Sequence, residues 1–234
     1  MPLRLRHIEI PLFVQWDKYV PSYLPSIENV SFLLIGASCG ANVRECAWGG
    51  DPVWNYAVSC GWHGTAVEPV KRTFAKLCHH YGRFNRQVVP IRAVISDVRG
   101  SAVVVSRGET SRIARRWTQQ NTSVRHERRR RVDEEVVDML TVHDVWPRPS
   151  GASILVIDAE GTESLILGRG ILPHPAPRLI LFEHAHLSTE DQGLIHRNLV
   201  RQGYVKLEDL RHRDRAATSR NDAAQDRLYG LTYP

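Results

Sequence analysis

The chain has 234 residues, with 31 Lys and Arg against 25 Asp and Glu, and a formal charge of +6. Its 42% apolar and 24% charged residues exclude a collagen, a coiled coil and a wholly disordered chain, while the length suits one sizeable core. No apolar run approaches the ~18 residues that a membrane span needs, and the N-terminus lacks the apolar stretch of a secretory signal. We therefore expect a soluble cytoplasmic protein with no membrane partner.

Short apolar runs bounded by turn residues recur along the chain and predict β-strands. These runs are Val30–Ile35, Thr65–Val67, Val88–Val94, Ile154–Ile157 and Leu179–Phe182. Between them, Lys71–Tyr81 has the spacing of an amphipathic helix, and Ser188 or Thr189 can cap a second helix that continues to Gln202. Strands that alternate with helices predict an α/β fold with a mostly parallel sheet covered on both faces.

The end of the chain breaks this alternation. Tyr204–Leu207 and Arg227–Leu231 have the pattern of two strands, and the polar stretch between them has no helical spacing. Parallel neighbours need a crossover connection, so these two strands are predicted to pair in the antiparallel sense.

The positive charge is concentrated in one stretch, because Arg99–Arg131 contains ten Arg and two Glu and the rest of the chain is slightly acidic. We expect residues 1–29 to be an N-terminal extension that walls a substrate pocket, and residues 30–234 to be the main domain with an Arg-rich insertion around 107–131. The insertion is either a solvated loop or a clamp for an anionic partner. Nucleic acid is disfavoured because Trp117 is its one stacking aromatic.

The four cysteines do not have the spacing of a metal site. Cys39, Cys46, Cys60 and Cys78 form no CxxC pair, which disfavours a zinc ribbon. We expect free thiols in a reducing compartment, and the sequence predicts no metal ligands.

Polar residues follow three successive predicted strands. The first strand leads into the glycine-rich turn 36–40, the second ends at Glu68, and the third ends at Ser96 and Asp97. A glycine-rich turn lets backbone N–H groups approach a nucleotide-like ligand, and a carboxylate at the tip of the second strand can accept both hydroxyls of a ribose. Ser96 or Asp97 would then take the amino group of an adenine. Each residue alone also fits a plain alternative, a helix start for Glu68 and an Asx turn for Asp97.

Five segments, in order, resemble the FkbM family of S-adenosylmethionine-dependent methyltransferases. They are IGASCG at Ile35–Gly40, GWHGTAVEPVKRTFAKL at Gly61–Leu77, RAVISDVRG at Arg92–Gly100, ILVIDAEGTESLIL at Ile154–Leu167 and PRLILFEH at Pro177–His184. The segment Gly49–Tyr56 also resembles the Asp-Pro loop of one branch of that family, while Ser38 stands where the family commonly has Asn.

The resemblance implies a class I methyltransferase fold, which is a Rossmann-like sheet of seven mostly parallel strands with an antiparallel last strand. It implies S-adenosylmethionine as cofactor, and O-methylation of a small hydroxylated molecule such as a sugar or a secondary metabolite. The implied cofactor-binding residues are Gly36, Ala37, Ser38, Gly40, Glu68, Pro69, Ser96, Asp97 and Asp158. The implied residues at the reacting end are Asp158, Glu160, Glu183 and His184.

The chemistry asked of such a site is to align a nucleophile, exclude water and remove a proton. His184 or a carboxylate whose pKa is raised by burial suits the base, and His186 would point the same way as His184. A Mg²⁺ held by Asp158, Glu183 and His184 is an alternative that the spacing does not decide.

Two other functions stay open at this stage. One is a nicotinamide-dependent oxidoreductase, whose glycine fingerprint Ser38 breaks. The other is a non-catalytic binding protein that contacts RNA through the Arg-rich stretch. The sequence does not decide the oligomeric state, for which a homodimer is one option.

Overall fold

The computed structural model describes residues 19, 22–41, 51–84, 87–107, 110–117, 133–148, 151, 153–159, 161–170, 172–210 and 226–232. The strands are β1 (Ser31–Ile35), β2 (His63–Val67), β3 (Val88–Ile91), β4 (Val94–Ser96), β5 (Gly100–Arg107), β6 (Thr110–Trp117), β7 (Asp133–Thr141), β8 (Ile154–Ile157), β9 (Leu179–Glu183), β10 (Tyr204–Leu210) and β11 (Asp226–Leu231). The helices are α1 (Trp54–Ser59), α2 (Lys71–Phe84), α3 (Val142–Val145), α4 (Glu163–Leu167) and α5 (Thr189–Arg201).

Seven strands form the main sheet in the order β10-β11-β9-β8-β1-β2-β3. The pairs β9–β8, β8–β1, β1–β2 and β2–β3 are parallel, whereas β11 is antiparallel to both β9 and β10. This topology confirms the predicted class I methyltransferase fold, including the antiparallel pairing of the last two strands.

The central strands are short and buried because helices cover both faces of the sheet. Every residue of β1 and β8 is buried, and alternate side chains enter two separate apolar clusters. One cluster lies under α1 and α2, and the other lies under α3, α4 and α5. Burial on both faces explains why these strands read as continuous apolar runs. Of the helices in the described part of the chain, none is both long and apolar enough to span a membrane.

A second, four-stranded sheet has the order β4-β7-β5-β6. The prediction of one strand over Val88–Val94 was therefore wrong, because the chain leaves the main sheet after Ile91 and enters the small sheet at Val94. Arg92 stands between the two strands, and its side chain makes polar contacts that a continuous buried strand would not allow. Ser96 accordingly ends a strand of the small sheet and not the third strand of the main sheet.

Part of the predicted Arg-rich insertion is a regular strand. Residues Thr110–Trp117 pair with β5 in the antiparallel sense, so this part is not the loop that the charge pattern suggested. Residues 118–132 lie outside the described residues, and the domain boundaries stay a prediction.

The described part of the N-terminal extension packs at the amino ends of the main strands. The Arg178 guanidinium donates to the Tyr23 carbonyl at 3.2 Å, and the Trp62 indole donates to the Ile27 carbonyl at 2.6 Å. Arg178 and Trp62 precede β9 and β2, so these contacts lie at the edge opposite the carboxyl ends. Residues 1–18, 20 and 21 lie outside the described residues, and a substrate-pocket wall from this extension stays a prediction.

The cysteines differ from the expectation of four free thiols. Cys60 and Cys78 keep their thiols and form no disulfide, whereas Cys39 is disulfide-bonded. Cys39 is buried within the turn after β1.

Candidate active site

The turn after β1 is held against the ends of its two neighbouring strands. The amides of Gly36 and Ala37 donate to the Val67 carbonyl at 3.0 and 2.9 Å. Gly36 has a φ of +82°, and a Cβ there would overlap the carbonyl oxygen of Asp158. Only glycine allows this approach between the turn and the end of β8. Ser38 also has a positive φ, +48°, which directs its amide towards Glu68.

Glu68 follows β2 and is almost completely buried, with 6% of its surface exposed. One carboxylate oxygen accepts the Ser38 amide at 3.0 Å, and the other accepts the Val70 amide at 2.9 Å. The pKa of Glu68 is raised to about 7, mainly by burial and to a smaller extent by the negative charge of Asp158, while the two amides oppose the shift. Each oxygen keeps a second lone pair that a ligand hydroxyl could use.

The loop after β8 carries Asp158, which is exposed at the tip of the strand. Glu163, at the start of α4, is buried and holds this loop, because its two oxygens accept the amides of Ala159 at 2.7 Å and Gly161 at 2.9 Å. Burial raises the pKa of Glu163 to about 7, and Asp158 contributes in the same direction. Glu160 lies outside the described residues.

Sequence reasoning missed Glu163, although its spacing carried a signal. Asp158 and Glu163 bracket a Gly-containing loop that turns from a strand into a helix. A carboxylate in the first turn of a helix can bind free amides that precede it.

Glu183 ends β9, next to the tip of β8, and His184 follows it. Ile157 pairs with Phe182, so Asp158 and Glu183 occupy adjacent positions at the carboxyl edge. His184 is buried, with 8% exposed, whereas His186 is exposed and its Nε2 lies 3.6 Å from a Glu183 carboxylate oxygen. The structure therefore brings His186, and not only His184, to this edge.

Ser96 ends β4, and Asp97 follows it. Ser96 is buried and its hydroxyl donates to the Asp97 carboxylate at 2.9 Å, while Asp97 is exposed. The strand β4, which ends at Ser96, packs against α4. Ser96 and Asp97 are thus connected to the end of the main sheet through α4, and they do not follow its third strand, β3.

A second network of buried hydrogen bonds lies next to the turn after β1, which it contacts at Cys39. The Tyr81 hydroxyl donates to the buried Asp51 carboxylate, which also accepts the Val53 amide at 2.8 Å. Burial raises the pKa of Asp51 to about 7. The His80 ring nitrogen Nδ1 donates to the Cys39 carbonyl at 2.7 Å. The sequence indicated the Asp-Pro loop but not its partner Tyr81 or the contact of His80, both of which α2 supplies.

The arrangement suits a ligand that combines hydroxyl groups with positive charge. Carboxylates at the tips of β2 and β8 are near enough that Asp158 raises the pKa of Glu68. An electronegative crevice of this kind attracts a cation, and the buried carboxylate accepts hydroxyl donors. Among the described residues, no group of three or more His, Cys, Asp and Glu side chains is placed to hold a metal ion.

Comparison with known proteins assigns the chain to a family. The family described as Methyltransferase FkbM domain matches residues 38–212. A solved structure, the fibrillarin pre-rRNA processing protein of Methanococcus jannaschii, aligns with a TM-score of 0.44 at 9% identity, over 88% of this chain and 67% of that one. No curated protein matches the chain. The family match covers most of the chain and agrees with the sheet topology, so the chain belongs to the FkbM methyltransferase domain family.

Proposed function

We propose that the chain transfers a methyl group from S-adenosylmethionine to a hydroxyl of a small molecule. The observation that carries the proposal is the buried Glu68 carboxylate, fixed by the Ser38 and Val70 amides at the tip of β2. Folding alone does not call for a buried carboxylate at this place, because burial of a charge is costly. A ribose diol offers two donors to such a carboxylate.

The residues of the crevice fit this cofactor. Glu68 would accept the ribose hydroxyls, the backbone of the turn from Gly36 to Gly40 would face the methionine part, and Ser96 with Asp97 would lie towards the adenine. When bound, S-adenosylmethionine supplies a methyl group already activated by its sulfonium charge. The negative charge of Asp158, which raises the pKa of Glu68 and Glu163, complements that cation.

The acceptor would lie over the tips of β8 and β9. Asp158 would orient the acceptor hydroxyl, and His186 would take its proton. Glu183 lies 3.6 Å from His186 and would stabilise the imidazolium that forms. His184 is less suited to this role because its ring is buried. A small hydroxylated substrate needs no more from the protein than alignment, exclusion of water and this proton transfer.

Ligand binding tests the cofactor assignment. Thermal unfolding in the presence of S-adenosylhomocysteine should raise the melting temperature, whereas NADH and RNA should not. A shift with NADH and none with millimolar S-adenosylhomocysteine would contradict the proposal and favour an oxidoreductase.

Activity on a panel of hydroxylated metabolites tests the reaction. His186→Ala should lower turnover, and His143→Ala, which removes an exposed histidine from α3, should not. Equal activity in both variants would exclude His186 as the base. Loss of turnover in His184→Ala alone would move that role to the buried ring.

A further inference from the structure

Glu135 lies on the inner face of the small sheet, where its neighbours are apolar. It pairs with the buried Val104, and the next residues of β7 on the same face, Val137 and Met139, are buried in the apolar cluster of this sheet. A carboxylate on such a face is costly unless it is paired. The position of Glu135 therefore calls for an explanation in terms of what it contacts.

Glu135 contacts the segment that follows the candidate ribose carboxylate. Its two oxygens both lie 3.3 Å from the Lys71 amide, the first residue of α2. It also forms an ion pair with Arg92, whose Nε donates to the Pro69 carbonyl at 3.2 Å. The pair thus holds the backbone on both sides of Val70.

Val70 completes the link to Glu68. Its side chain packs in the apolar cluster of the small sheet, and its amide donates to the Glu68 carboxylate at 2.9 Å. Three contacts therefore fix the residues from Pro69 to Lys71. They are the Arg92 hydrogen bond to Pro69, the packing of Val70 in the small sheet and the hydrogen bond from Lys71 to Glu135. The negative charge of Glu135 also contributes, as the smallest of the causes, to the raised pKa of Glu68, which places the two carboxylates within electrostatic reach.

We propose that Glu135 and Arg92 are positioning residues that set the orientation of the Glu68 carboxylate, and with it the affinity for the cofactor, without contacting the cofactor. This inference rests on the proposed function, in which Glu68 holds the ribose. On this proposal the small sheet takes part in cofactor binding through Glu135. The main sheet cannot supply the ion pair, because β3 ends at Ile91, before Arg92.

Binding of S-adenosylhomocysteine, measured by isothermal titration calorimetry, tests the inference. Glu135→Ala and Arg92→Ala should each weaken binding about tenfold, the size of effect expected when a charged hydrogen-bond partner is lost. The double variant should bind no more weakly than the weaker single variant, because the two residues form one ion pair and act on the same segment, Pro69 to Lys71. Turnover at saturating cofactor should stay at the wild-type value in each.

The matched control is Arg99→Ala, which removes another ion pair near the small sheet. Arg99 pairs with Asp144 at an exposed site and makes none of the contacts to Pro69 or Lys71 described above. This variant should bind S-adenosylhomocysteine as wild type does. Hydrogen exchange of the Lys71 amide without cofactor should accelerate in Glu135→Ala and not in the control, because only the former loses its acceptor.

The outcomes separate this inference from the proposed function. If wild type does not bind S-adenosylhomocysteine, the proposed function fails and this inference fails with it. If wild type binds but Glu135→Ala and Arg92→Ala bind equally well, the inference is overturned and the proposed function stands. Multiplying effects in the double variant would also overturn it. Should Glu135→Ala not fold, Glu135→Gln keeps the shape and removes the charge, and the same weakening is expected.

Discussion

The two edges of the main sheet are built from the same strands but differ in chemistry. At the carboxyl edge, the buried carboxylates of Glu68 and Glu163 accept backbone amides and have a raised pKa. At the amino edge, the contacts described above have uncharged acceptors, including the Tyr23 carbonyl that accepts from the Arg178 guanidinium. The Trp62 indole donates to a carbonyl, and Ser31 and Ser153 hydroxyls lie 3.2 Å apart.

The difference shows which polar groups the fold needs and which it only tolerates. Hydrogen bonds to uncharged acceptors satisfy the strand ends at modest cost. Buried carboxylates with a raised pKa destabilise the folded state at neutral pH, so their presence at one edge indicates a purpose other than folding. Substitutions at opposite ends of the same strand can test this contrast.

The largest effect is expected at the end of β8. Asp158→Asn should lower turnover by roughly 100-fold or more, as for loss of a group that acts in the transition state, with a much smaller change in cofactor affinity. Ser153→Ala, just before the other end of β8, removes the hydroxyl contact with Ser31 and should lower stability slightly and leave turnover unchanged. Steady-state kinetics of both variants measure this difference. A fully active Asp158→Asn would refute the placement of Asp158 beside the reacting groups.

The next effect is expected at the end of β2. Glu68→Ala should weaken S-adenosylhomocysteine binding by about 1–3 kcal/mol, because a charged hydrogen-bond acceptor is lost. His63→Ala, at the amino end of the same strand, is the control and should bind normally. Calorimetric titration measures both affinities. Equal affinities of the two variants for S-adenosylhomocysteine would contradict the assignment of Glu68 to the ribose.

The fold was predictable where burial alone sets the pattern. The strands β1, β8 and β9 are continuous apolar runs, and their covering by helices on both faces follows from that. The small sheet was missed because its longer strands β5 and β7 form no continuous buried run; in β7, for instance, Val136 is exposed and Val137 is buried. Arg92 divides what reads as one apolar strand, and only its contacts with Pro69 and Glu135 explain the break.

The site was predictable in position but not in its supports. Glu68 and Asp158 lie directly after apolar strands, so their places at the carboxyl edge follow from the parallel order. Glu163 and Glu135 act through amides that are distant in sequence or exposed only by the shape of a loop. The spacing of Asp158 and Glu163 carried a signal for the first of these contacts, whereas no residue spacing encodes the contact of Glu135 with Lys71, 64 positions away.

A smaller effect is expected from pH. Because burial raises the pKa of Glu68 to about 7, its carboxyl is increasingly protonated below that value and loses acceptor capacity. The affinity for S-adenosylhomocysteine should fall about tenfold per pH unit below 7, and Glu68→Gln should flatten this dependence. An unchanged slope in Glu68→Gln would assign the titration to another group.

The stability has the opposite pH dependence for the same group. Since the pKa of Glu68 is higher in the folded than in the unfolded chain, its contribution to stability is full below about 4.5 and is lost as pH rises through 7. Urea unfolding of wild type and Glu68→Gln between these values should show a steeper fall for wild type.

The smallest effect is expected at the amino edge. Trp62→Phe removes the hydrogen bond to the Ile27 carbonyl and should lower the free energy of unfolding by about 1 kcal/mol. Urea unfolding measures this loss. Cofactor affinity should not change, because the contact lies at the far edge of the sheet; a weakened affinity would show that the two edges are not independent.

A crystal structure with S-adenosylhomocysteine tests the central assignment most directly. We expect both ribose hydroxyls within hydrogen-bond distance of the Glu68 carboxylate, with the sulfur between the Gly36 turn and Asp158. Electron density for the ligand at any other place, or a Glu68 carboxylate turned away from it, would contradict the account.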